Sequence, residues 1–148
     1  MSVQAAVFSG FQPKLRRTAT QQSIEVSFLD ADSWIGDVLQ TLAEMERLPS
    51  NWDSYGSVPP VAAALNAARG FLVRTPFMRV PAPTVTPVPG GGVGFHWRIE
   101  GRSLEVEFLP DGGAEFVKCD GDNQDSIVEG LLKGGETQRN LLNWVAGF

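Results

Sequence analysis

His96 is the one imidazole in the chain, and downstream of it Glu105 and Glu107 are spaced i and i+2. An imidazole beside a carboxylate can exchange protons near neutral pH. With Glu115 as a third ligand, the same group would hold a metal ion. On a strand, both carboxylates fall on one face roughly 7 Å apart, close to the spacing that retaining glycosidases use. Such a hydrolase also needs a long, deep cleft, and 148 residues offer little material for one. The plainer reading is a solvated sheet face with cross-strand charge pairs, each contributing about 0.2–1 kcal/mol. Other chemistry is poorly represented. Ser9, Ser54 and Ser126 lie outside any G-x-S-x-G elbow, and Cys119 has no motif around it. Gly90-Gly91-Gly92 runs into a strand pattern, whereas a phosphate cradle is followed by a helix N-terminus. With one cysteine and one histidine, an intrachain disulfide and a Cys/His metal cluster are both excluded. No catalytic residue, metal or cofactor is expected.

The second cluster is Asn51-Trp52-Asp53-Ser54-Tyr55-Gly56-Ser57-Val58-Pro59-Pro60. Asp53 reads as a turn former that bonds local amides, and Trp52 as a plug against the core. Tyr55, with one face of Trp52, reads as a recognition tip, because both residue types are enriched at interface hot spots. The expected partner-binding residues are therefore Trp52, Asp53 and Tyr55 on the loop, with His96, Arg98, Glu105 and Glu107 on the sheet.

These residues need elements to position them. Ser23–Leu29 alternates around Ile24, Val26 and Phe28, which predicts a half-buried strand. Asp30–Ser33 supplies N-caps for a first helix with Trp34, Ile35, Val38, Leu39, Leu42, Met45 and Leu48 as its apolar stripe, stopped by Pro49. Ser57 is the expected N-cap of a second helix, with Pro59 and Pro60 in its first turn and Val61, Leu65, Ala68 and Leu72 inward. Five prolines between 76 and 89 predict a stiff extended connector.

The clearest pattern is residues 92–118. Val93, Phe95, Trp97 and Ile99 alternate with polar residues or glycine, and Leu104, Val106 and Phe108 do the same. Gly101-Arg102 predicts a type II′ turn that would set Arg98 opposite Glu105 and His96 opposite Glu107. Asp111-Gly112-Gly113 predicts the next hairpin, with Ala114–Cys119 as its return strand. Residues 127–132 fit either an edge strand, from their β-branched start, or one helical face through Ile127, Val128, Leu131 and Leu132, with the strand preferred, and 136–146 read as a last helix. The result is an α+β fold: an antiparallel meander of three to five strands with two or three helices packed on one face. Residues 1–22 form an irregular N-terminal arm and 23–148 a single domain.

Composition bounds the partners. A net charge of −5 opposes phosphate binding, so nucleic acid is not the expected direct partner. Lys14, Arg16 and Arg17 form one local basic patch, read as a solvated arm. No apolar run reaches the about 20 residues of a membrane span, and the N-terminus lacks a secretory pattern. A cytoplasmic location and no membrane partner are expected.

The order Asn51-Trp52-Asp53-x-Tyr55-Gly56, then Gly91-Gly92-Val93-x-Phe95-x-Trp97, then Leu104-Glu105-Val106-Glu107-Phe108-x-Pro110-Asp111-Gly112 resembles a group of small uncharacterised bacterial proteins. The resemblance covers about residues 34–118. It implies a helix, loop, helix, β-meander order and a bacterial origin, and carries over no catalytic residue. The expected function is a non-enzymatic accessory, immunity or antitoxin-type subunit that binds a protein partner, a basic one encoded nearby. The alternative is a small enzyme or a ligand- or metal-binding domain using His96, Glu105 and Glu107.

Overall fold

A computed structural model describes residues 23–75, 79–121 and 124–147. Within them lie helices α1 (Ser23–Met45), α2 (Ala62–Val73) and α3 (Gly134–Ala146), and strands β1 (Thr84–Val88), β2 (Gly92–Ile99), β3 (Arg102–Phe108), β4 (Ala114–Asp120) and β5 (Val128–Leu131). The strands form one antiparallel sheet in the order β1-β2-β3-β4-β5. This is the expected α+β meander with helices over its apolar face. The N-terminal arm, including Lys14, Arg16 and Arg17, lies outside the described residues.

Alternation decides which face is covered. Val85 of β1, Val93, Phe95 and Trp97 of β2, and Leu104, Val106 and Phe108 of β3 are all buried. Val38, Leu42 and Met45 of α1, Leu65, Ala68, Phe71 and Leu72 of α2, and Leu141, Leu142 and Val145 of α3 join them in one core. Phe71 sits at its centre, with ring centroids 5.7 Å from Phe95, 5.5 Å from Phe108 and 6.1 Å from Trp97. The Phe95 and Phe108 contacts are edge-to-face, the arrangement that ring quadrupoles favour. Two buried indoles tie the chain between α2 and β1 to this core: Trp34 donates to the Val80 carbonyl at 3.1 Å and Trp97 to that of Pro81 at 2.8 Å.

Four expectations are corrected. Ser23–Leu29 is the start of α1, not a strand, so Asp30–Ser33 lies inside a helix instead of capping one. Ile24 and Phe28 are also four apart, so three alternating residues fit either period, and no glycine or proline interrupts the run before Gly36. The 76–89 connector contains a true strand: Thr84–Val88 pairs with β2, and an edge position tolerates Pro87. Ser57 does not cap α2, whose N-cap is Val61 with no side-chain bond. Finally, the β2–β3 turn is Glu100-Gly101, with φ of 49° and 86°. That is the type I′ pattern, which needs positive φ at both central residues. His96 therefore faces Glu105, Arg98 faces Ser103 and Gly94 faces Glu107. The register differs from the expected one by two residues, so every side chain keeps its face.

Two polar features tie α3 to its neighbours. Buried Gln138 donates to the Phe71 carbonyl at 2.9 Å and the Thr75 hydroxyl at 2.8 Å, and accepts from Arg74 Nε at 3.1 Å. It thereby satisfies backbone at the C-terminal end of α2. Arg102 donates to the Trp144 carbonyl at 2.6 Å, and Lys118 lies 4.8 Å from the Trp144 ring centroid.

Candidate functional site

The Asn51–Pro60 loop is bonded almost entirely to itself. Asn51 and Ser54 sit at φ 64° and 66°, and Gly56 at 83°. Asn is among the few side-chain-bearing residues that tolerate that region. The Asn51 side-chain oxygen accepts from the Gly56 amide at 2.6 Å, and the Asn51 amide donates to the Ser57 carbonyl at 2.7 Å. One carboxylate oxygen of Asp53 accepts from the amides of Tyr55 (2.9 Å) and Ser57 (3.3 Å), and the other from the Ser57 hydroxyl at 2.5 Å. The Ser57 hydroxyl, seconded by the two amides, holds the Asp53 carboxyl below its ordinary value, against a smaller opposing effect of desolvation. Asp53 is the expected turn former.

Trp52 is not the expected core plug. It is half-buried, stands outside the residues packed on the core, and donates its indole N–H to the Val58 carbonyl at 2.8 Å. It staples the loop to itself. Tyr55 is different again: it is 83% exposed, on a backbone its neighbours hold in place. The loop end is fastened to the sheet by the Val61 amide, which donates to the Gly91 carbonyl at 2.9 Å.

The second group lies on the uncovered sheet face. His96, Arg98, Glu105 and Glu107 all point there with Glu115, as the registers require. None of His96, Arg98, Glu105 and Glu107 makes an ion pair with another described residue, so the expected charge pairing does not form. Glu107 stands directly opposite Glu115, a like-charge pairing that disfavours the isolated sheet. Gly94 leaves a gap on this face between Thr86 and Glu107. A depression of ≈150 Å³ results, with Thr86, His96, Glu105, Glu107, Glu115 and Val117 around it. Ligand sites for drug-sized molecules run about 300–1,000 Å³, so this one suits a small group such as a side-chain terminus. Among the described residues no set of three or more His, Cys, Asp and Glu could hold a metal ion. The metal form of the alternative reading thus has no ligand set there. Cys119 is a half-buried residue whose sulfur lies 3.2 Å from the Gly121 carbonyl oxygen.

Sequence reasoning named the charged members of this face and the loop residues. It missed Thr86 and Gly94, because both enter only through the pairing of β1 with β2. Val58, exposed within the loop, gave no signal as a candidate. Among the described residues no helix is long and apolar enough to cross a membrane. Compared with models of protein families, with curated proteins and with solved structures, the chain matches none.

Proposed function

We propose that the protein is a non-enzymatic binding subunit, an accessory, immunity or antitoxin-type component of a bacterial complex, that holds a basic protein partner in the cytoplasm. The observation that carries this reading is Tyr55: a large aromatic, 83% exposed, on a loop whose Asn51, Trp52 and Asp53 side chains are all spent on fixing its shape. A preorganised aromatic loses little freedom on binding, the property that marks interface anchors. The uncovered face adds a second reason. Glu105, Glu107 and Glu115 make no ion pair with another described residue, and a basic partner would relieve the Glu107–Glu115 repulsion while steering encounter.

Affinity purification from the native host, followed by sedimentation, tests this. A stoichiometric protein partner is expected, and Tyr55→Ala should weaken its binding by about 30-fold without altering the fold. Glu107→Gln should also weaken binding while leaving the free protein as stable or slightly more so. A complex indifferent to both substitutions, or no partner at all, would refute the reading.

A further inference from the structure

Among the described residues seven large hydrophobic side chains are exposed, and three of them gather at one sheet edge: Ile127 (46%), Val128 (47%) and Leu131 (56%). They occupy β5 and the residue before it. The two edges of the sheet are unlike. β1 carries Pro87, which removes a backbone donor, and its Val85 and Pro87 are buried. β5 contains no proline and no lysine.

The backbone of β5 can be assigned residue by residue. Leu132 donates to the Ala114 carbonyl at 2.9 Å, which makes that pair a hydrogen-bonded one. By the alternation of antiparallel ladders, Gly130 and Val128 also bond inward to β4, opposite Phe116 and Lys118. The N–H and C=O groups of Glu129 and Leu131 therefore point outward from the sheet edge.

We infer that β5 pairs antiparallel with β5 of a second copy of this chain, about a two-fold axis through Gly130, joining the two sheets edge to edge. Only registers that keep each side chain on its own face fit a two-fold axis normal to the sheet. Centring on Glu129 would set the two Glu129 carboxylates directly opposite each other, which opposes pairing. Centring on Gly130 instead sets Glu129 opposite Leu131 and Val128 opposite Leu132. The line of the strand continues through Lys133, which is extended at φ −114° and ψ 98° and exposed. In this register Lys133 of one copy is the diagonal neighbour of Glu129 of the other, within reach of a long side chain. Two such opposite-charge pairs form by symmetry. Leu131 of each copy becomes the diagonal neighbour of Leu131 and Ile127 of the other, so the exposed apolar residues of the edge cover one another. Charge complementarity and apolar matching thus select the same occupant, and an axis through Leu131, though it would set Glu129 opposite Lys133, would leave Ile127 opposite residue 135, already inside α3, and so uncovered. None of this uses the Asn51–Pro60 loop.

Sedimentation of the full chain from about 1 µM to about 1 mM should show a concentration-dependent dimer. Leu131→Pro, at an exposed position whose N–H points outward from the edge, should leave the circular dichroism unchanged and raise the dimer dissociation constant by at least about tenfold. Glu129→Lys and Lys133→Glu should each weaken the dimer by about tenfold, and the double variant should recover it, because the charges are then exchanged and not removed. A chain that stays monomeric over the whole range overturns the inference. So does a dimer indifferent to Leu131→Pro, or a charge-exchanged double variant no stronger than its parents.

Discussion

Replacing Asn51 separates what its backbone demands from what its side chain bonds. At φ 64° an alanine is strained by about 1–2 kcal/mol. It also gives up the 2.6 Å bond from the Gly56 amide, a net loss of about 0.5–1.5 kcal/mol. Asn51→Ala should therefore loosen the loop by about 1.5–3.5 kcal/mol. Glycine loses the same bond but is unstrained there, and it sacrifices about 0.5–1 kcal/mol of backbone freedom relative to alanine. Asn51→Gly should accordingly keep the loop tighter than Asn51→Ala by about 0.5–1 kcal/mol. The loop bonds mainly to itself, so it can open without the core, and global unfolding in urea will understate the effect. Native-state hydrogen exchange of the Trp52 indole, bonded to Val58, reads the local opening directly. Its protection should fall about 10- to 300-fold in Asn51→Ala, and stay about two- to five-fold higher in Asn51→Gly than in Asn51→Ala. If the glycine variant opens as readily as the alanine variant, left-handed strain at Asn51 is not what selects the residue, and the account of the loop fails.

Gln138→Leu keeps the bulk but removes two donors and an acceptor. The Phe71 carbonyl retains its 2.6 Å bond from the Thr75 hydroxyl, so the cost should be about 1–3 kcal/mol, read as a lower urea midpoint at unchanged m-value. For Asp53 the sign follows from its lowered folded pKa. Its contribution to loop stability is fully present above the ordinary value of 3.8 and is lost as pH falls through the lowered one. Trp52 indole protection should drop on acidification below that value, and Asp53→Asn should abolish that pH dependence.

The apolar alternation of residues 92–118 made the hairpins legible, and the same alternation hid the register. Gly101 serves equally well as the first residue of a II′ turn or the second of a I′ turn, and the two choices differ by an even shift that moves no side chain across the sheet. Only the cross-strand pairs change, and those decide the site: Gly94 opposite Glu107 opens the depression, where His96 had been expected. The start of α1 reads as a strand because Ile24 and Phe28 satisfy both periods, and β1 as a connector because proline density outweighs Thr84-Val85-Thr86. The bulk of Trp52 points to the core, although its partner is a carbonyl six residues away. Gln138 was invisible for the opposite reason, since apolar patterning passes over a buried amide. Asp53 and Tyr55 were legible because an Asx turn and a spare aromatic are local properties that need no tertiary partner.

The two candidate surfaces are mechanically connected. Gly91 is buried at φ 100°, and a Cβ there would lie 3.1 Å from Val61 and 3.5 Å from Val58, at the end of the aromatic loop. At Gly92 a Cβ would lie 2.8 Å from the Phe108 carbonyl oxygen and 3.6 Å from a Glu107 carboxylate oxygen. The β1–β2 turn thus touches the Tyr55 loop with one glycine and the acidic face with the next. A bulkier residue at either position would push one surface away from the other, which accounts for the glycine run where no helix N-terminus follows. The same run that fails as a phosphate cradle succeeds as a joint. One partner can therefore meet the aromatic and the carboxylates at fixed relative positions, with the ordering cost borne when the chain folds, not when the complex forms.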